Sequence, residues 1–298
     1  MPDRLSEVLE SGEHTLLTSG QGRTEGPLWH PGGFLTFVDL DGSRLLRWDP
    51  DGTLSVARED TGEGNGCTLD RQGRLLMCEA ERKRVTRAEA DGTITSIADS
   101  WEGKRLNRPN DVICRSDGTI YFTDPAGRIP PEEREYGFGG VFRISPDGQL
   151  HLATDGCEYP NGLALSPDES VLYVAISRLD ERCFEEEEQG DVCNHRFVRA
   201  FDVASDGTLS NNRVFCNMAS AEPGVPDGMK VDSAGRVFCT GSGGVWVIAP
   251  SGEPLGIIRG PEVPRNVAFG EDDLCTLFTT PGDSLYSVRV KVPGLPVM

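Results

Sequence analysis

The chain repeats one two-strand unit six times, and each copy begins with a short polar segment that we call its anchor. Each anchor is followed by a short apolar run, a turn rich in Asp, Gly or Pro, and a second apolar run. The anchors begin at Glu25, Asn65, Asn110, Asn161, Asp227 and Asn266. Successive anchors are therefore 40, 45, 51, 66 and 39 residues apart. This spacing is typical of the blades of a β-propeller.

A second set of predicted strands alternates with the first and completes each unit. RLLRWDPDGTLSV and GVFRISPDGQLHLA, for example, place alternating apolar residues around a D-G turn, which is the pattern of an antiparallel hairpin. Each unit then has four strands, A to D. The last unit lacks a D strand because the tail KVPGLPVM is broken by proline, and His14–Ser19 can supply one. We predict an all-β, six-bladed β-propeller with four antiparallel strands per blade. Residues 1–298 would form this single domain, its ring closed by the N-terminal strand.

Composition restricts the partners and the cellular location. The chain has 48 Asp and Glu against 29 Lys and Arg, a net charge of −19, which disfavours nucleic acid and anionic membranes as partners. No apolar run approaches the roughly 18 residues of a membrane span. The first residues lack the apolar core of a signal peptide, so we expect a cytoplasmic protein. The sequence does not indicate an oligomeric state.

Six of the nine cysteines fall within the predicted strands, and two others lie together in a predicted loop. Cys183 and Cys193 flank the acidic segment FEEEEQGDV. We expect two unpaired thiols in a loop, with a disulfide or a shared metal as the alternative.

Four anchors together predict a metal site. Glu25, Asn110, Asn161 and Asp227 would meet at one mouth of the central channel, because strand A begins at its anchor in every blade. Two carboxylates and two amide carbonyls form an all-oxygen set that suits a hard divalent cation. Ca²⁺ is favoured, with Mg²⁺, Mn²⁺, Zn²⁺ and Fe²⁺ as alternatives. The competing interpretation is that Asn-Gly and Asp-Gly are turn dipeptides. We expect Asn65 and Asn266 to follow it, or to bind water near the ion.

Other hydrolytic chemistries lack their residue patterns. None of the four histidines is paired at a metal-ligand spacing, and no G-x-S-x-G segment is present. Water attack assisted by a metal is the chemistry that remains. Arg108, in the segment NRPND, could hold a substrate carboxylate or hydroxyls, the alternative being a surface arginine. The two longest B–C loops, Pro125–Gly139 and Ser177–Phe197, should overhang the anchors.

The ordered segments EGP, RPND, YPNG and PDG resemble those of the SMP-30/gluconolactonase/LRE family, which includes the regucalcin-like sugar lactonases. The likeness extends over nearly the whole chain and is most specific in EGPLWHPGGFLTFVD and RPNDVICRSDGTIYFTDP. It implies a six-bladed propeller with one divalent cation in the channel. Glu25, Asn161 and Asp227 match the metal ligands of the family.

The resemblance also implies the substrate contacts. Asn110 matches a residue that binds metal or substrate, Arg108 a substrate-binding residue, and Asp227 the general base as well. Glu135 is our choice for a substrate-binding glutamate, with Glu132 and Glu133 as alternatives.

The function that follows is metal-dependent hydrolysis of a sugar lactone to its aldonic acid, through a cation-polarised carbonyl and an activated water. Two alternatives stay open from the sequence. One is hydrolysis of other lactones, esters or phosphotriesters at the same ion, and the other is a non-catalytic cation-binding propeller.

Overall fold

The computed structural model describes residues 4–127, 129–178 and 196–297, which form a six-bladed β-propeller of four-stranded antiparallel sheets. Strands A to D of the first three blades are β2–β5 (Thr24–His30, Phe34–Asp39, Arg44–Trp48, Leu54–Arg58), β6–β9 (Gly64–Leu69, Leu75–Glu79, Arg84–Ala88, Ile94–Ala98) and β12–β15 (Val112–Cys114, Ile120–Asp124, Gly140–Ile144, Leu150–Thr154). The fourth and fifth blades are β16–β19 (Pro160–Leu165, Val171–Ile176, Phe197–Val203, Leu209–Asn217) and β20–β23 (Met229–Val231, Val237–Gly241, Gly244–Ile248, Pro254–Ile258).

The sixth blade joins the two ends of the chain. It consists of β24 (Pro264–Gly270), β25 (Thr276–Pro281), β26 (Leu285–Arg289) and, as strand D, β1 (Thr15–Thr18). Thr15 is the register partner of Ser287 in an antiparallel pair. The predicted ring closure by the N-terminal strand is confirmed. Pairing the first strand with the last blade leaves no gap in the ring at which the sheets could separate.

A few small elements lie outside the blades. They are the 3₁₀ turns Leu5–Glu7 and Pro131–Glu133 and the hairpin of β10 (Ser100–Trp101) and β11 (Lys104–Arg105). No helix in the described part of the chain is long and apolar enough to cross a membrane. Seven cysteines in these residues are free and at least half-buried. Cys183 and Cys193 lie outside the described residues.

The core is divided among the contacts between neighbouring blades. Six apolar clusters occur in the described residues, and each takes side chains from two adjacent blades. Strand β21 shows how this arises: Val237 and Cys239 pack toward the fourth blade, while Phe238 packs toward the sixth. Because successive strand residues point to opposite faces and both faces are buried, inner strands read as continuous apolar runs.

Glycines after three anchors permit close contact between blades. Gly66, Gly162 and Gly228 do not adopt the left-handed backbone conformation. A Cβ at Gly162 would lie 2.2 Å from the carbonyl oxygen of Asp227, in the next blade. The Gly162 N–H donates a hydrogen bond to that same oxygen at 3.2 Å. The turn interpretation is therefore wrong for these glycines, including Gly66 after Asn65, because they are needed for close approach.

Replacing Gly162 with alanine should destabilise the ring. The added methyl group must push Asp227 away or be pushed itself, and overpacking of this kind costs about 1–3 kcal/mol of unfolding free energy. Thermal unfolding would measure the loss. Gly137→Ala is the matched control, because a Cβ there meets no atom within 4 Å. Equal melting temperatures for the two variants would contradict the close-approach account.

The C-terminal tail covers the end of the ring opposite the anchors. Leu295 N donates to Val231 O at 3.1 Å, and Gly294 N donates to Leu274 O at 2.9 Å. Leu295 packs on the cluster between blades four and five, and Val297 packs on the cluster between blades one and two. The tail thus spans the ring on the face of the A–B turns.

Candidate functional site

A cavity of about 1110 Å³ lies at the anchor end of the channel, as bounded by the described residues. Glu25, Asn110, Asn161 and Asp227 all line it, and so does Arg108. The structure therefore brings together five of the six residues that the sequence singled out.

The hydrogen bonds of Asn161 fix which of its side-chain atoms lacks a partner within the described residues. The Ser177 hydroxyl donates its hydrogen to Pro226 O at 2.6 Å. Toward Asn161 it must therefore accept, so the group 3.0 Å away from it is the amide Nδ2. The opposite atom, Oδ1, is buried and has no hydrogen-bond partner within the described residues. A buried carbonyl oxygen without a partner is costly and indicates a ligand that is absent from the protein itself.

Glu25 is buried in the first blade, with 4% of its surface exposed. Its Oε2 accepts hydrogen bonds from Asn266 Nδ2 at 3.1 Å and from Gly26 N at 3.2 Å. Burial raises the pKa of Glu25 to about 7, against the opposing effect of these two donors. Asn266, which we expected to be a turn residue or to bind water near the ion, instead orients this carboxylate.

Asp227, in the fifth blade, is the second carboxylate of the cavity and interacts electrostatically with Glu25. It lines the cavity and is half-buried. Burial first, and the negative charge of Glu25 second, raise the pKa of Asp227 well above its usual range. Two neighbouring carboxylates in a protein interior repel each other unless a positive charge lies between them.

The donor set fits a divalent cation. The Oδ1 of Asn161, without a partner among the described residues, and the mutually repelling carboxylates of Glu25 and Asp227 are hard oxygen donors of residues that line one cavity, and Asn110 lines it too. The described residues contain no group of three or more His, Cys, Asp or Glu side chains that could hold a metal. The four anchors do not form such a group because two of the four are asparagines, whose ligand atoms are amide oxygens.

Arg108 is held in the cavity wall by two carboxylates. Its guanidinium pairs with Glu63, which also lines the cavity. Its backbone N–H donates to Asp124 Oδ1 at 2.7 Å, and the N–H of Asn107 donates to Asp124 Oδ2 at 2.8 Å. The Tyr136 hydroxyl donates to the same Oδ2. Burial raises the pKa of Asp124 to about 6, against these three donors. Asp124 is thus a fully buried acceptor of three hydrogen bonds, and one of these bonds positions the main chain of Arg108.

Sequence reasoning missed Asp124, although the repeat carries a signal for it. The B strands of the first three blades end in Asp39, Glu79 and Asp124. In the first two blades the carboxylate pairs with an arginine of strand C, Arg44 or Arg84. In the third blade the residue equivalent to Arg44 and Arg84 is a glycine. Asp124 therefore has no strand C arginine to pair with, and it accepts hydrogen bonds from the loop before Asn110 instead.

Glu135 is not brought to the cavity. Its carboxylate accepts a hydrogen bond from Arg105 N at 2.7 Å, and it is exposed and absent from the cavity wall formed by the described residues. Glu132 and Glu133 are also exposed and do not line this cavity. Glu63, which sequence reasoning did not select, is the glutamate that lies beside Arg108.

The two long B–C loops differ in how much of them is described. Pro125 and Gly127 line the cavity, as expected of a loop on the anchor face. Tyr136 of the same loop is buried in the cluster between blades two and three. Arg178, near the start of the other loop, also lines the cavity, and residues 179–195 lie outside the described residues.

For the lactone hydrolysis that the sequence predicts, Asp124→Asn should raise the KM for the lactone about tenfold while kcat changes little. The reason is that a buried donor loses its acceptor and Arg108 shifts. Steady-state kinetics on the Asp124→Asn, Arg108→Ala and double variants test this. If Asp124 acts through Arg108, the double variant should be no worse than Arg108→Ala. Asp147→Asn, an exposed aspartate in the C–D turn of the same blade, is the control. Additive effects would show that Asp124 acts independently of Arg108.

The fold and the site together define a class of protein: a six-bladed β-propeller whose channel carries an acidic, all-oxygen site at one mouth. A family model described as SMP-30/Gluconolactonase/LRE-like region matches residues 23–282. The chain belongs to this family.

Characterised relatives agree with this assignment. A gluconolactonase of Zymomonas mobilis is 32% identical, over 91% of this chain and 79% of that protein. The pentonolactonase XacC of Haloferax volcanii is 32% identical, over 86% of this chain and 80% of that protein. The solved structure of a gluconolactonase from Xanthomonas campestris is 34% identical with a TM-score of 0.83, covering 98% of this chain and 93% of the other.

Proposed function

We propose that this protein hydrolyses a sugar lactone to its aldonic acid at a divalent cation held by Glu25, Asn110, Asn161 and Asp227. The observation that carries the proposal is the buried Oδ1 of Asn161, which has no hydrogen-bond partner within the described residues and belongs to a residue lining the same cavity as two repelling carboxylates. The lactonases among the relatives support the substrate class. Ca²⁺ is the first candidate, since every donor is a hard oxygen.

When bound, the cation supplies Lewis-acid polarisation of the lactone carbonyl and stabilises the negative charge that develops on its oxygen. In this proposal Asp227 takes a proton from the attacking water. Water adds to the carbonyl carbon, the bond between that carbon and the ring oxygen breaks, and the ring oxygen takes the proton from Asp227 to give the open hydroxy acid. Arg108 positions the sugar ring from the third blade.

A screen of the metal-depleted and the reconstituted protein tests the proposal. The substrate panel contains D-glucono-1,5-lactone, a pentonolactone, a simple alkyl lactone and a phosphotriester. We expect hydrolysis of the sugar lactones that disappears on chelation and returns with Ca²⁺ or another divalent ion. Turnover of the phosphotriester alone, or metal binding without any hydrolysis, would refute the sugar-lactone assignment.

A further inference from the structure

Arg265 is a second cavity arginine, on the sixth blade, whose main chain is firmly held. Its carbonyl oxygen accepts hydrogen bonds from Gly228 N at 2.8 Å and from Thr240 Oγ1 at 2.8 Å. The residue lines the cavity, and its charge lowers the pKa of both Glu25 and Asp227. A guanidinium therefore lies close to the oxygen donors from a direction that Arg108 does not occupy.

The side chain of Arg265 differs from those of two other cavity arginines in its pairing. Arg23 pairs with Asp41 at 2.7 Å, and Arg108 pairs with Glu63. Within the described residues, the hydrogen bond of the Arg265 guanidinium is a long one, from Nη1 to Gly282 O at 3.5 Å. Most of its five N–H donors are thus available to a ligand.

Arg265 and Arg108 lie on opposite sides of the ring. They belong to the sixth and third blades, which are half a turn apart in a six-bladed propeller. A molecule bound at the oxygen anchors therefore lies between two guanidinium groups. The cavity that the described residues bound, about 1110 Å³, exceeds the roughly 300–1,000 Å³ of ordinary ligand sites, and this space accommodates a substituent beyond a sugar ring. The chain as a whole carries a net charge of −19, so an arginine that forms no ion pair with a carboxylate of the described residues is a specific feature of this mouth.

We propose that Arg265 determines specificity by binding an anionic substituent, a carboxylate, phosphate or sulfonate, that the lactone carries in addition to its reacting carbonyl. This inference rests on the proposed lactone hydrolysis. The planar fork of the guanidinium can donate two parallel hydrogen bonds to such a group. Arg108 then holds the sugar ring from the other side.

Kinetics on a neutral and an anionic lactone test the proposal. The substrates are D-glucono-1,5-lactone and 6-phospho-D-glucono-1,5-lactone, and the measured quantity is the ratio of their kcat/KM values. The wild type should favour the anionic lactone. Arg265→Met should lower the ratio about tenfold or more, because a charged hydrogen bond is lost, and Arg265→Lys should retain part of it. Arg23→Met is the control with the same change of charge in the same cavity, and its ratio should match the wild type.

Binding of the product acids separates this inference from the proposed function. Calorimetry on the metal-loaded protein compares gluconate with glucarate and 6-phosphogluconate, whose second anionic groups are a carboxylate and a phosphate. We expect at least one of these to bind more tightly than gluconate, and the preference to disappear in Arg265→Met. Such a preference without any lactone turnover would support Arg265 while overturning lactone hydrolysis. Turnover with no preference for a second anion, or with equal losses on both lactones in Arg265→Met, would overturn the inference alone.

Discussion

Asp227→Ala is expected to lower kcat about a thousandfold or more, since it removes a metal ligand and the proton acceptor together. Asp227→Asn separates the two roles, because it keeps a neutral oxygen ligand and loses the base. At saturating metal, Asp227→Asn should still show a kcat roughly 10²–10⁴ below the wild type, the range for general-base catalysis. Its metal affinity should fall less than that of the alanine variant.

Asn65→Ala is the matched control for Asp227. Asn65 is the anchor of the second blade, which lies opposite the fifth, and it lines the same cavity without a proposed ligand role. The kcat of Asn65→Ala should stay within about threefold of the wild type, because a residue that does not act in the chemical step leaves kcat nearly unchanged. If Asp227→Asn restored near-normal turnover once enough metal was added, Asp227 would be a ligand and not the base.

Removing the metal should destabilise the protein, and more so at alkaline pH. The folded pKa of Glu25 is about 7, above its unfolded value of about 4.3. The folded metal-free protein therefore holds a proton that the unfolded chain releases. Its stability falls as the pH rises from about 4.5 to about 7, and by order of magnitude the loss is a few kcal/mol. The raised pKa of Asp227 acts in the same direction.

Melting temperatures of the chelated and the metal-loaded protein, measured at about pH 5.5 and about pH 8, test this linkage. The gap between the two forms should widen at the higher pH, where both carboxylates are charged and available to the ion. Glu25→Gln supplies the discriminating variant. It should raise the melting temperature of the chelated protein at the higher pH, because the repulsion with Asp227 is removed, and it should abolish most of the gain from added metal. A Glu25→Gln protein that metal stabilises as much as the wild type would falsify the ligand assignment.

Within the site, sequence patterns predicted which anchors lie together at the cavity, but not the hydrogen bonds that orient them. The anchors Glu25, Asn110, Asn161 and Asp227 were recognisable because each repeats at the same place in a blade. That the Oδ1 of Asn161 is the atom left without a partner in the described part of the chain depends on Ser177 and on Pro226 of the next blade. Asp124 was missed because its partners, Asn107, Arg108 and Tyr136, lie in two loops without periodicity.

The amino-acid sequence by itself determined the blade count, the strand order within each blade and the closure of the ring by the N-terminal strand. These features depend on local alternation of apolar residues, on turn residues and on spacing, all of which are visible along one chain. Tertiary structure decided the placement of Glu135 away from the cavity, the role of Gly162 as a contact residue and the position of Arg265 opposite Arg108. Each of these depends on contacts between segments far apart in sequence, and such contacts exist once the ring has closed and adjacent blades have packed.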